Sequence, residues 1–202
     1  ELLPPVGVAP RALLVVSAHW EEAVFTLNTN AAPGLLFDYY GFPPHTYELQ
    51  WPAPGAPELA VEVAALLDQA GMAVATDNQR GLDHGVFVPL KLVCPQADIP
   101  VLQLSLQADM DAAGHIALGK ALAPLREQGV LIIGSGMSFH NIPLMRSNLA
   151  HSSPAALAFD QWLAEIVVLP EAQRNQALTH WRQAPGARLA HPDAEHLLPL
   201  HV

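Results

Sequence analysis

Four histidines stand where this sequence could do chemistry. His19 follows the apolar run "LLVVSA", His140 follows "VLIIGSGMSF", His84 sits between glycines in "GLDHGVF", and His196 lies in the closing stretch "HPDAEHLLPLHV". Neutral imidazole is a common nitrogen donor to zinc and iron, and a catalytic metal site uses roughly three protein ligands with coordination positions left open. An imidazole that does not bind the metal can move protons near neutral pH. Ten histidines outnumber the nine Lys and Arg, which makes a metal site worth weighing. Taken singly, each is more often a hydrogen-bonded structural residue, and no close HxxxH or CxxC pair adds to the metal case. His45, His115, His151 and His180 are read as structural; His191 and His201 are left open.

The elements that must position these side chains follow from patterning. Apolar, β-rich runs alternate with longer amphipathic ones, which implies an α/β fold: a single domain with an open sheet, mixed or mostly parallel, covered by helices. Strands are expected over 12–18, 23–29, 72–77, 99–106 and 130–136, and helices over 57–71, 111–129 and 154–168, with Pro124 breaking the second of these. His19 and His140 then lie just past strand C-termini, the edge where open α/β sheets bind ligands. Residues 35–55, dense in aromatics and proline, read as a long ordered loop, and His84 reads as part of a turn beside Asp83. Residues 191–202 read as a helix start, with Pro192 at the first position, Asp193 and Glu195 at the positive end of the dipole and His196 early in the helix. In "VLIIGSGMSFHN" two readings compete: either Gly134 and Gly136 end a strand and His140 satisfies the turn, or the strand end aims an imidazole into a site.

Composition excludes several classes. At 202 residues, 51% hydrophobic and 14% charged, the chain can bury a core and is not disordered. Nine Lys and Arg against 19 Asp and Glu leave no broad basic surface, so nucleic acid is not an expected partner. No apolar run reaches the ~20 residues that span a bilayer. The single cysteine, Cys94, excludes an intrachain disulfide and a Cys-rich zinc site and suits a cytoplasmic location. The opening "ELLPPVGVAP" has no initiator Met and does not read as a signal peptide.

The segments "SAHW" (17–20), "YYGFPPHTYELQWPAPG" (39–55), "GLDHGVFVPLKLVCP" (81–95), "GSGMSFHN" (134–141) and "HPDAEHLLPLHV" (191–202), in this order, resemble the class III extradiol ring-cleavage dioxygenases of the DOPA-dioxygenase type. The resemblance implies a mononuclear metal, Fe(II) in active members and sometimes Zn as isolated, that binds a catecholic substrate and O2. It implies His19 and His196 as metal ligands, His140 as the acid/base, and His84 as a contact to substrate or oxygen from outside the ligand set. Phe37, Tyr39, Tyr40, Phe42 and Tyr47 either wall an aromatic pocket or simply pack the loop. Family members carry a further ligand histidine upstream of "SAHW", whereas no histidine precedes His19 here, so residues 1–202 are expected to lack native N-terminal and C-terminal segments. A non-catalytic metal-binding or interaction protein on the same fold, and a zinc hydrolase, stay open as alternatives; an oligomer is neither required nor excluded.

Overall fold

The computed structural model describes residues 9–147 and 153–202, so His151 lies outside the described residues. Five strands form one sheet: β1 (Ala12–Glu22), β2 (Phe25–Asn28), β3 (Val74–Asp77), β4 (Val101–Gln107) and β5 (Val130–Ser135). Their order is β3-β2-β4-β1-β5; β1 runs parallel to both β4 and β5, β2 parallel to β3, and β2 meets β4 antiparallel. The sheet is therefore mixed and mostly parallel, as the alternation of elements implied. β1 is apolar from Ala12 to Val16 because both its faces are buried there. Leu14 and Val16 pack under α1 (Pro57–Gln69), α3 (Ala112–Leu122) and α6 (Pro154–Val167), while Leu13 and Val15 pack with Trp51, Phe87 and Leu90 on the other face.

Three expectations need correction. β1 does not stop at Ala18 but continues to Glu22, with an irregularity that contains His19. His84 is not in a turn; it is the first residue of α2 (His84–Val93). Glycines at 81 and 85 and Pro89 hide this helix from its sequence. Pro89 cannot donate to the Gly85 carbonyl, and the hydroxyl of Ser135, at the end of β5, supplies that bond at 2.5 Å. Finally, residues 192–197 form bends and turns, and only Leu198–His201 coil into a 3-10 turn. The Glu195 carboxylate, expected at a helix N-terminus, bonds the His196 ring instead.

The expected break at Pro124 separates α3 from α4 (Pro124–Glu127). α5 (Ile142–Arg146), α7 (Glu171–Thr179) and α8 (Ala187–Ala190) complete the helices described. Patterning misses α7 because Leu178 is its one buried residue, so no apolar stripe marks it. The 35–55 loop is ordered as expected and is pinned at both ends, Leu35 bridging to Leu82 and Gly55 to Val101. Between these pins the buried Trp51 indole donates to the Cys94 carbonyl at 2.9 Å.

The strand-end glycines have a steric reason to be there. A Cβ on Gly136 would collide with the His196 carbonyl oxygen, and one on Gly134 with that of Pro199. The C-terminal segment thus lies directly on the end of β5, and the Met137 N–H donates to the His196 carbonyl at 2.8 Å. Further bonds hold the same seam: His140 N–H to the Ala190 carbonyl at 2.9 Å, Asn141 Nδ2 to the Leu189 carbonyl at 2.7 Å, and His191 Nε2 to the Ser138 carbonyl at 3.0 Å. Asn141 also caps α5, accepting from Leu144 N–H at 3.2 Å.

Two predictions follow from this packing. Gly136→Ala forces backbone apart and should lower the unfolding free energy by about 1–3 kcal/mol, whereas Gly34→Ala should stay within about 0.5 kcal/mol. Gly34 is the fair comparison because a Cβ there meets nothing within 4 Å. Urea denaturation of both variants measures the difference. The second concerns His201, whose Nε2 lies 3.2 Å from the Leu178 carbonyl and whose imidazole is pushed down to about 4 by burial. As pH falls the unfolded chain takes this proton first, so stability present above about pH 6.5 is lost on acidification. The advantage of wild type over His201→Gln should shrink by about 2 kcal/mol between about pH 7 and pH 5. A constant gap between the two denaturation curves would show that the folded and unfolded chains take up this proton equally, and would contradict the lowering by burial.

Candidate metal centre

His19 reaches the site because β1 leaves its regular ladder. Val16 pairs with Leu104 of β4 and Glu21 with Leu106, so five steps along β1 answer to two along β4. The surplus residues arch out of the sheet as a bulge does, and His19 rides on the arch. On the other side of β1, pairing with β5 ends at Ser17 and Ser135. His140 lies beyond the end of β5, fixed by the seam bonds, and His196 arrives on the C-terminal segment that rests on Gly136. α2 begins at His84.

The four rings form a row in the order His84, His19, His196, His140. Ring centroids are 3.9 Å apart for His84 and His19, 4.9 Å for His19 and His196, and 3.4 Å for His196 and His140, the last pair stacked at 18°. Each end of the row carries a carboxylate. Asp38 Oδ1 accepts from the His84 backbone N–H at 3.0 Å and lies 2.7 Å from its Nδ1. Glu195 Oε1 lies 2.8 Å from His196 Nδ1 and 3.3 Å from His140 Nδ1. Sequence reasoning had named all four histidines, and the fold brings all four together. It had missed Asp38, hidden between aromatics in the loop, and had given Glu195 to a helix dipole. The adjacency of Glu195 and His196 was the one signal available.

Electrostatics favours neutral rings in the middle of the row. Burial, then the neighbouring His84 and His196, push His19 down to about 4, against the pull of Asp83 and Asp38. His196 is also lowered, chiefly by burial and in spite of its bond to Glu195. Burial tends to raise Asp38 and Glu195, but the bonds from His84 and from His196 hold both carboxylates below their ordinary range. Deprotonated imidazoles are the form that binds a metal, and a carboxylate on the other ring nitrogen fixes tautomer and orientation. With Glu195 on Nδ1, His196 presents Nε2 outward. Potential ligand atoms within 4.8 Å of one another fall into two groups, His19 with Asp38 and His84, and His196 with His140 and Glu195, and imidazoles mixed with carboxylates in this way suit a divalent metal.

A cavity of about 800 Å³ opens over His19 and His196, bordered by Glu21, Asp38, Asp193, Glu195 and Arg182. The loop aromatics do not wall it. Phe37, Tyr39 and Tyr47 pack against one another, and Phe37 and Tyr39 also against Phe87, while Tyr40 is 91% exposed. Tyr39 alone touches the row, edge-on to His84 at 5.6 Å. His115 and His201 are buried structural residues, His191 supports the Ser138 carbonyl, and His45 and His180 are exposed.

Comparison with known proteins bears on what this site is. The family described as the catalytic LigB subunit of aromatic ring-opening dioxygenase matches residues 6–202. The chain is 45% identical over 197 residues to the 4,5-DOPA dioxygenase extradiol of Beta vulgaris, covering 96% of this chain and 72% of that one. It is 43% identical over 202 residues to Dioxygenase tasH of Hapsidospora irregularis, covering 95% and 62% respectively, so it spans less than two thirds of that relative. A solved structure of an uncharacterised protein from Escherichia coli K12 superposes with a TM-score of 0.78 at 30% identity, over 96% of this chain and 74% of the other. The chain belongs to the aromatic ring-opening dioxygenases of the class III extradiol type, on the DOPA-dioxygenase branch.

Proposed function

We propose that this chain is a catalytic domain that opens a catecholic ring with O2 at a single Fe(II), with His19 and His196 as protein ligands, His140 as acid/base and His84 as a contact to substrate or oxygen. The observation that carries the reading is the convergence of these four rings from four separate segments into one row beside a cavity. When bound, the iron supplies the redox coupling between catechol and oxygen. The chain's own residues do the rest. Glu195 on Nδ1 of His140 leaves Nε2 to take a proton from a catechol hydroxyl, and the same carboxylate stabilises the imidazolium that forms. By sharing one carboxylate, His140 and His196 keep a fixed mutual orientation, so the proton acceptor stands beside the ligand. Asp38 orients His84 in the same manner at the far end of the row.

The cavity also suits a catechol with a charged tail. Arg182, Glu21 and Asp193 all line it, charges complementary to a carboxylate and an ammonium on one side chain, as in the DOPA named for the beet relative. Among the described residues no helix is long and apolar enough to cross a membrane. A buried, unpaired Cys94 supports a reducing, cytoplasmic setting.

Separate ligand and acid/base roles predict separate losses. His140→Ala should keep its iron while ring opening, followed by oxygen uptake and product absorbance, falls on the order of 10²–10⁴-fold. His196→Ala should lose the metal itself, read by elemental analysis after anaerobic Fe(II) loading. Equal metal loss in both variants would contradict the division of roles.

A further inference from the structure

Asp83 is fully buried, and so are Ser17 and Gln103 beside it. Burying a carboxylate costs several kcal/mol unless it is paired and hydrogen-bonded. Here Oδ1 accepts from Ser17 Oγ at 2.8 Å, while Oδ2 accepts from Gln103 Nε2 and from Arg80 Nη2 at 3.4 Å. An ionised Asp83 can only accept, so the Ser17 hydroxyl must donate to it, which turns a lone pair toward the His19 backbone N–H at 3.2 Å. The same Arg80 Nη2 donates to the His19 carbonyl at 3.2 Å, with its guanidinium 4.7 Å over the Trp20 ring. Both peptide groups flanking the His19 Cα are therefore held by partners that share one carboxylate. His19 needs such anchors because it lies on the arch where β1 has no register with β4. The fit is tight: a Cβ on Gly85, next in chain to His84, would lie 2.7 Å from Ser17 Oγ and 2.9 Å from His19 Cδ2.

From this geometry we infer that Asp83 is a positioning residue for metal binding, fixing the His19 backbone through Ser17 and Arg80 so that the imidazole faces His196. The inference rests on the reading of His19 as a ligand. It differs from a purely structural role in what it makes specific. Asn at 83 is nearly isosteric but uncharged. With its amide oxygen kept on Gln103 and Arg80, its NH2 faces Ser17 Oγ, which must then accept there and turn its own proton away, giving up the orientation that presents a lone pair to the His19 N–H. The opposite flip sets the NH2 against Arg80. A buried network that served stability alone would cost folding free energy without selecting for metal affinity.

The test measures the Zn(II) dissociation constant by competition with a chromophoric chelator in the full chain, beside thermal unfolding of the metal-free protein. Asp83→Asn and Ser17→Ala should each weaken Zn(II) binding by roughly 10–100-fold. Ser105→Ala is the control: Ser105 is also fully buried and its hydroxyl also accepts a backbone N–H, that of Thr26 at 2.9 Å, yet it lies outside the clamp. It should lower the melting temperature comparably while changing the dissociation constant by less than about twofold. Should Asp83→Asn fail to fold, Ser17→Ala, which deletes one hydroxyl, still decides the matter. If His19→Ala removes the metal while Asp83→Asn and Ser17→Ala bind Zn(II) like wild type, the inference is overturned and the ligand assignment stands. If His19→Ala itself binds like wild type, the ligand assignment fails with it. Equal weakening in Ser105→Ala and Ser17→Ala would mark the effect as general destabilisation and overturn the inference.

Discussion

The His196 carbonyl oxygen occupies the space that a side chain at position 136 would need, and the rest of the site depends on that contact. Only glycine lets the C-terminal segment lie on the end of β5, and only that approach brings His196 within 4.9 Å of His19 and into a stack with His140. Backbone bonds from Met137 and His140, with the side chains of Asn141 and His191, turn the contact into a seam. The break from apolar run to Gly134-Ser135-Gly136 thus has a steric answer. The glycines end the strand and admit a second segment, the one that carries His196. Ser135, between them, satisfies the carbonyl that Pro89 leaves open in α2, tying the strand end to the helix that begins at His84.

Charge is arranged to match. The fold sets Asp38 against His84 and Glu195 against His196 and His140, while Asp83 is tied to His19 through Ser17 and Arg80. Both inner rings, His19 and His196, are driven toward the neutral form by burial, His19 to about 4. Neutral nitrogen donors in the centre with anionic orienting groups outside is the order that metal binding beside proton transfer requires.

Much of this was legible in the sequence. The five strands, α1, the break at Pro124 and the ordered loop follow from hydrophobic period and proline placement, because burial on both faces of β1 and on one face of α1 writes itself into residue type. The four histidines were legible too, through their positions at strand ends and the segments in which they sit. What stayed hidden was long-range or local to special backbone. The arch in β1 leaves no mark in "SAHW", since a bulge is a mismatch between two strands distant in sequence. α2 reads as a turn because Gly85 is demanded by close approach to Ser17 and His19, and Gly81 ahead of it by the Gly34 carbonyl, both tertiary causes. Asp38 and Asp83 look like ordinary loop acids until the fold brings a histidine to one and a buried serine to the other.

Anomalous diffraction at the iron absorption edge, on crystals loaded anaerobically with Fe(II), tests the central claim most directly. The account predicts one peak at a coordination distance of about 2.1 Å from a ring nitrogen of each of His19 and His196, with His140 and His84 beside it but unbound. A peak held by His84 and Asp38, or by His140 and Glu195, without either central ring would contradict it.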